Sequence, residues 1–304
     1  MRRFILCFLA AALALLCLCP SAPAETVSWL TVTADADTEV LDLGDLRVRD
    51  YGALGDFLAQ LPKLRRVDMY GSFPSSGEID SLQARFPGVE FNFSIRITKY
   101  NVRTDATAFS TLFKGGDHTT DYEHISMLRY CRNLYALDVG HNPIGKLDFL
   151  YDMPQLRVLI VSICKVRDIT PIASLEHLEY LEIFHNEIED VSCLSGLKHL
   201  MDLNLVRNRV RDLAPLTEIK SLRRLWVHLC DYADPSLPDK KTVTMLRGLL
   251  PRCHVDTLST STAGGWREDP HYDTIHRMFR QGIYEPFEDS DPENLPEGYL
   301  PREP

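Results

Sequence analysis

Five leucines recur every 22 residues, at Leu134, Leu156, Leu178, Leu200 and Leu222, and each opens the same unit. Leu137, Leu159, Leu181, Leu203 and Leu225 fill its fourth position, and Val139, Val161, Ile183, Leu205 and Val227 its sixth. The ninth is Asn142, Cys164, Asn186, Asn208 and Cys230. Apolar residues alternating with polar ones around positions 4 and 6 describe a strand with one buried face. A unit this short cannot bury that face alone, so a fixed period of this length predicts a stacked array.

The pattern L-x-x-L-x-L-x-x-N/C-x-L is that of a leucine-rich repeat. At position 9 the chain turns off the strand, and an Asn side chain there can satisfy backbone groups of the neighbouring turn. Asn142, Cys164, Asn186, Asn208 and Cys230 are therefore the structural ladder, with Cys164 and Cys230 read as buried thiols in Asn places. Those two stand three repeats apart, roughly 14 Å at about 4.8 Å per strand, too far for a disulfide. Position 13 holds Asp168, Asp190 and Asp212, and position 16 holds Pro171 and Pro215. This resembles the short-repeat class of bacterial internalins. The resemblance implies an α/β solenoid with a curved parallel β-sheet on the concave side and 3₁₀ or short helices on the convex side. About ten turns are expected, with a C-terminal helical cap. Lys146 and Phe149 depart from the consensus in the first regular unit, and the fifth degrades after Cys230.

Five segments follow. Residues 1–24 read as a signal peptide: Arg2 and Arg3, an apolar run from Phe4 to Cys19, then Pro20-Ser21-Ala22-Pro23-Ala24. The run is short for a membrane span, and Leu16 and Leu18 before Cys17 and Cys19 do not suit lipid attachment. Residues 25–131 are irregular repeat-like units, with a hairpin excursion at Ser94–Asp105 and a strand near Phe109–Leu112. Residues 132–235 are the regular repeats. Residues 236–283 form a last unit and a cap, in which Asp269, Pro270 and Gly282 mark the N-cap, first position and C-cap of a helix. Its Tyr272, Ile275, Met278 and Phe279 share one face. Residues 284–304, rich in acids and prolines, read as a disordered tail.

The net charge of −10 includes the two signal-peptide arginines. A chain this acidic lacks the basic patches that nucleic acid or anionic membrane requires. No membrane insertion is expected after signal cleavage, and the protein is expected to be secreted or held at the cell envelope. Leu300-Pro301-Arg302 has no apolar tail behind it and shows no cell-wall sorting signal. Cys131, Cys164, Cys193, Cys230 and Cys253 remain after cleavage; an odd number excludes a full disulfide framework.

Asp117, His118, Asp121, Glu123 and His124 cluster in the sequence. They read as a metal site or as a capping box, Thr120 with Glu123; the capping box is the expectation, and no metal or cofactor is expected. Nothing matches a nucleophile elbow, a zinc-protease helix or a phosphate loop. His141 and His185 share position 8 with Ile163 between them, and read as concave-edge residues. Positions 3, 5, 7 and 8 face the concave side. They assemble a predicted binding face of Tyr180, Glu182, Phe184, His185, Asn204, Arg207, Arg224, Trp226 and His228. Aromatics beside Arg are typical interface anchors; alternatively, flanking loops or the C-terminal segment fold back over them. The expected function is concave-face binding of a protein or peptide. A structural or regulatory subunit of a surface complex is the alternative, which a covered aromatic patch would favour. A hydrolase built on His118, Asp121 and His124 is the third reading.

Overall fold

Each regular unit becomes one three-residue strand and one 3₁₀ turn. The structure is a computed structural model and describes residues 26–97, 100–112, 120–231, 233–259, 265–297 and 299. The segment read as a signal peptide lies outside the described residues, as do Asp117, His118 and the chain beyond Tyr299.

Strands β1 (Thr26–Trp29) and β2 (Val32–Asp35) form an antiparallel hairpin. It leans on helix α1 (Tyr51–Leu58), where the Trp29 and Phe57 rings stack at 5.9 Å. Strands β3 (Val40–Asp42), β4 (Arg66–Met69) and β5 (Glu90–Ile97) are parallel neighbours, with α1 and α2 (Ser76–Arg85) in the connections. Strand β6 (Tyr100–Arg103) returns antiparallel on β5, pairing Ser94 with Arg103. A second sheet follows in strict chain order, all parallel: β7 (Ala108–Ser110), β8 (Ala136–Asp138), β9 (Val158–Ile160), β10 (Tyr180–Glu182), β11 (Asp202–Asn204), β12 (Arg224–Trp226) and β13 (His254–Asp256). Helix α3 (Tyr122–Ser126) precedes β8, and α4 (Lys240–Leu249) precedes β13. The cap of α3 is Asp121, whose side chain accepts from the His124 N–H, and not Thr120 as expected. A carboxylate can serve the orphan donors of a helix start as well as a hydroxyl can.

The ladder residues act as their chemistry requires. Asn186 accepts from the N–H of Cys164 (3.0 Å) and of Val166 (3.1 Å), and donates to the carbonyls of Val161 and Ile183. The Cys164 thiol donates to the equivalent Val139 carbonyl at 3.3 Å. Its side chain offers no comparable acceptor, and the Ile144 N–H turns to the Asn142 carbonyl instead. Position 8 takes the left-handed conformation in every regular repeat: φ is 63° at His141, 58° at Ile163, 54° at His185, 62° at Arg207 and 49° at Leu229. On the opposite side, Asp168, Asp190 and Asp212 each accept from the N–H two residues on and start the 3₁₀ turns Thr170–Ser174, Ser192–Gly196 and Ala214–Glu218.

The apolar residues divide into two clusters. One runs the length of the array between sheet and 3₁₀ turns and holds every repeat leucine. The other lies on the opposite, concave face, where Ala136, Ile160, Tyr180, Phe184 and Trp226 meet Trp266, Ile275, Met278, Phe279, Tyr284 and Phe287. Helix α5 (Pro270–Gln281) has the expected Asp269 cap, Pro270 start and Gly282 end, with Gly282 at φ 71°. Its position differs from the cap expected. It lies against β7 and β8 on the concave face rather than over the open end of the array.

A concave face covered by the chain's own C-terminal segment

Position 3 of the regular units places Tyr180, Asp202 and Arg224 side by side across β10, β11 and β12; position 5 does the same for Glu182, Asn204 and Trp226. Strand alternation sends both rows to the concave side. Residues 265–297 run across that side and cover most of both rows. A 3₁₀ turn, Gly265–Glu268, delivers Trp266 to the centre. Gly265 is at φ 49°, and a Cβ there would stand 3.0 Å from Trp226 Cζ2, so both conformation and closeness call for glycine. Trp266 is fully buried between Tyr180 (ring centroids 5.4 Å apart) and Trp226 (5.3 Å). Its indole N–H donates to Glu182 at 2.8 Å, its carbonyl accepts from Arg224 at 3.0 Å, and the Arg224 guanidinium lies over its ring.

His271 clamps the segment further along. Its Nδ1 lies 2.5 Å from Asp202 Oδ2 and its Nε2 2.7 Å from Asp289 Oδ1. Burial opposes a charge there, but the two carboxylates outweigh it and hold the pKa up at about 10. The hydrogen bond from His271 in turn lowers the Asp289 carboxyl. Arg224 completes the group, donating to Asp202 at 2.8 Å. Farther down, Glu179 is buried and its pKa rises by desolvation, offset by hydrogen bonds from Ser290 (2.7 Å) and Asn294 (2.8 Å). Tyr284 packs its ring tilted against Tyr135 and edge-on to Tyr299, and its N–H donates to Thr107. Buried polar groups matched one by one fix a single docking geometry as apolar contact alone does not.

The nine residues expected to form an open binding face therefore divide. Tyr180, Glu182, Phe184, Asn204, Arg224 and Trp226 are buried. Asn204 accepts from the Val206 N–H, and its Nδ2 has no hydrogen-bond partner among the described residues. His228 is half-buried, with Nδ1 2.7 Å from the Thr257 carbonyl. Only His185 is exposed; Arg207, half-buried, lies over the Phe184 ring at 5.8 Å. The open aromatic patch is corrected to a covered one, because large rings left in water would forgo burial worth about 25 cal/mol per Å². The disordered tail is corrected likewise over residues 284–297, where Tyr284 and Phe287 are buried. Of the cluster around His124, the described part is a helix cap: exposed Asp121 and His124 pair at 2.7 Å. Sequence reasoning missed Trp266, His271, Ser290 and Asn294 as partners of the concave face. The available signal was that Trp266 and the apolar face of α5 needed a surface of matching size.

The Leucine Rich repeat family profile matches residues 174–195, from the end of the connection before β10 through β10 and into the 3₁₀ turn after it. The fold is a leucine-rich repeat solenoid. No curated protein matches the chain. Among solved structures it is similar to an internalin (inlF) of Listeria monocytogenes, with 19% identity and a TM-score of 0.41 over 69% of this chain and 64% of that one. It is also similar to internalin C2 of the same organism, with 16% identity and a TM-score of 0.36 over 76% of this chain and 75% of that one. A leucine-rich repeat protein of Leptospira interrogans shares 19% identity, with a TM-score of 0.34 over 62% of this chain and 43% of that one. The solenoid thus spans less than two thirds of the length of the inlF and Leptospira chains.

Proposed function

We propose that this solenoid is an exported binding module that recognises a protein or peptide through its concave face. The observation that carries this reading is how that face treats its own residues 265–297. It accepts an aromatic anchor in a fully buried socket, meets His271 with the Asp202 carboxylate and meets Ser290 and Asn294 with Glu179. Those are the devices by which interfaces hold a peptide: buried aromatic anchors and matched polar groups. Export rests on Arg2, Arg3 and the apolar run after them. Among the described residues no helix is long and apolar enough to cross a membrane. The acidic charge argues against nucleic acid, and a binding role needs neither cofactor nor catalytic residue.

One observation favours a second reading, a structural or regulatory subunit of a surface complex that binds through its ends or tail: Tyr180, Phe184 and Trp226 are covered. A capture experiment separates the two. The protein and a Trp266→Ala variant, in which the covering segment is loosened, are compared as baits for proteins of the producing cell's surroundings. A concave-face partner is enriched on the variant. A partner held equally by both assigns binding to the ends or tail and contradicts the concave-face reading.

A further inference from the structure

Four acids on the concave face, Asp138, Glu179, Glu182 and Asp202, are buried almost completely, and the covering segment treats them differently. Asp202 has Arg224 and His271 against it. Glu179 has Ser290 and Asn294. Asp138 accepts, among the described residues, from Ser110 and the Gly140 N–H, both from its own repeat array, at 2.7 and 2.9 Å. Among the described residues of the covering segment, none hydrogen-bonds to its carboxylate. It faces instead a cavity of about 540 Å³ between α5 and the sheet. Glu182, two strands along in the same row, lines the same cavity. It receives hydrogen bonds from Ser162, Tyr180 and Trp266. Every hydrogen bond that either acid receives from the described residues comes from a neutral donor.

The walls join apolar side chains, Ile160 and Phe184 from the sheet side and Ile275 and Phe279 from α5, with the imidazoles of His141 and His276. Arg267 is exposed at the edge and stacks on Tyr272. A cavity of this size lies within the range of small-molecule sites, which pair apolar walls with a few placed polar groups. A carboxylate withdrawn from water without a cation is costly, and a cation delivered by a ligand removes that cost. We propose that this cavity is a small-molecule site for a primary amine on an apolar body, its ammonium directed at Asp138 and Glu182 and its body held between Phe184 and α5. Burial pushes the Asp138 carboxyl up to about 7, with the nearby Glu182 adding to the rise and hydrogen bonds from Ser110 and Gly140 and the exposed Arg267 opposing it. The site is separate from protein or peptide recognition and does not depend on it.

The test is calorimetric titration of the full chain with 2-phenylethylamine near pH 8, with 2-phenylethanol as its neutral match. The expected result is one saturable site with Kd at or below about 1 mM. The alcohol and the Asp138→Asn variant should each bind at least tenfold more weakly. Arg267→Ala provides the second variant, since an exposed side chain is replaced without touching the core; removing a like charge at the edge should tighten amine binding. Absence of saturation, equal binding of the alcohol, or unchanged binding in both variants would overturn the proposal.

Discussion

Asn186 is the position at which the repeat's logic can be tested in energy. Its carboxamide accepts from two backbone N–H groups, of Cys164 and Val166, and donates to two carbonyls. Ile183 O keeps a second donor in Asn208, so Asn186→Ala leaves three buried backbone groups without this partner. At about 1–3 kcal/mol for each unsatisfied group, with some recovery by water, the loss is roughly 3–6 kcal/mol. That is a large part of a typical total of about 5–15 kcal/mol. Asn186→Cys should cost less, roughly 2–4 kcal/mol. A thiol restores donation to Val161 O, as Cys164 donates to Val139 O, but restores neither acceptance. Urea unfolding followed by far-ultraviolet circular dichroism, under reducing conditions, measures both losses. A loss below about 1 kcal/mol for the alanine, or a cysteine as costly as the alanine, would refute the reasoning.

Three further outcomes follow from the same structure. His271 is held at about 10 against an ordinary value near 6.5, so its stabilising contribution is complete below about pH 6.5 and is lost as pH rises towards 10. The thermal midpoint should fall across that window, and His271→Gln should flatten the fall; an equally steep fall in the variant would contradict the clamp. Phe184→Ala with Trp226→Ala should destabilise the fold by several kcal/mol, sub-additively because both side chains join one cluster, and unfolding that matches the wild type would count against their burial. Lys165 is exposed at φ 58°, a left-handed conformation that Asn adopts more readily than Lys because its short polar side chain hydrogen-bonds the local backbone, so Lys165→Asn should stabilise by about 0.5–1 kcal/mol. A lower urea midpoint in that variant would show that the strain is absent.

What the sequence disclosed and what it withheld differ in range. The strand, the ladder and the 3₁₀ turn are set within one repeat or between neighbours, and Leu178, Asn186 and Asp190 announce them by spacing alone. The caps of α5 were legible for the same reason, since Asp269, Pro270 and Gly282 act on groups a few residues away. The place where α5 docks was not. Trp266 meets Glu182 across 84 residues, and Asn294 meets Glu179 across 115. No local period encodes such a meeting. An amphipathic helix states that one face is buried but not against which surface, so the end of the array and its concave face fit the sequence equally well. Composition misdirected in the tail, because acids and prolines signal disorder unless a few aromatics find a site. Tyr284 and Phe287 find one beside Tyr135 and Tyr180.

The C-terminal segment lies on the concave face. Hydrogen exchange read by mass spectrometry over peptides covering residues 270–281 tests that directly. A docked α5 should exchange slowly in the wild-type protein, within reach of the repeat strands, and far faster in Trp266→Ala. Fast exchange of α5 in the wild type, as for a helix standing free in water, would contradict it.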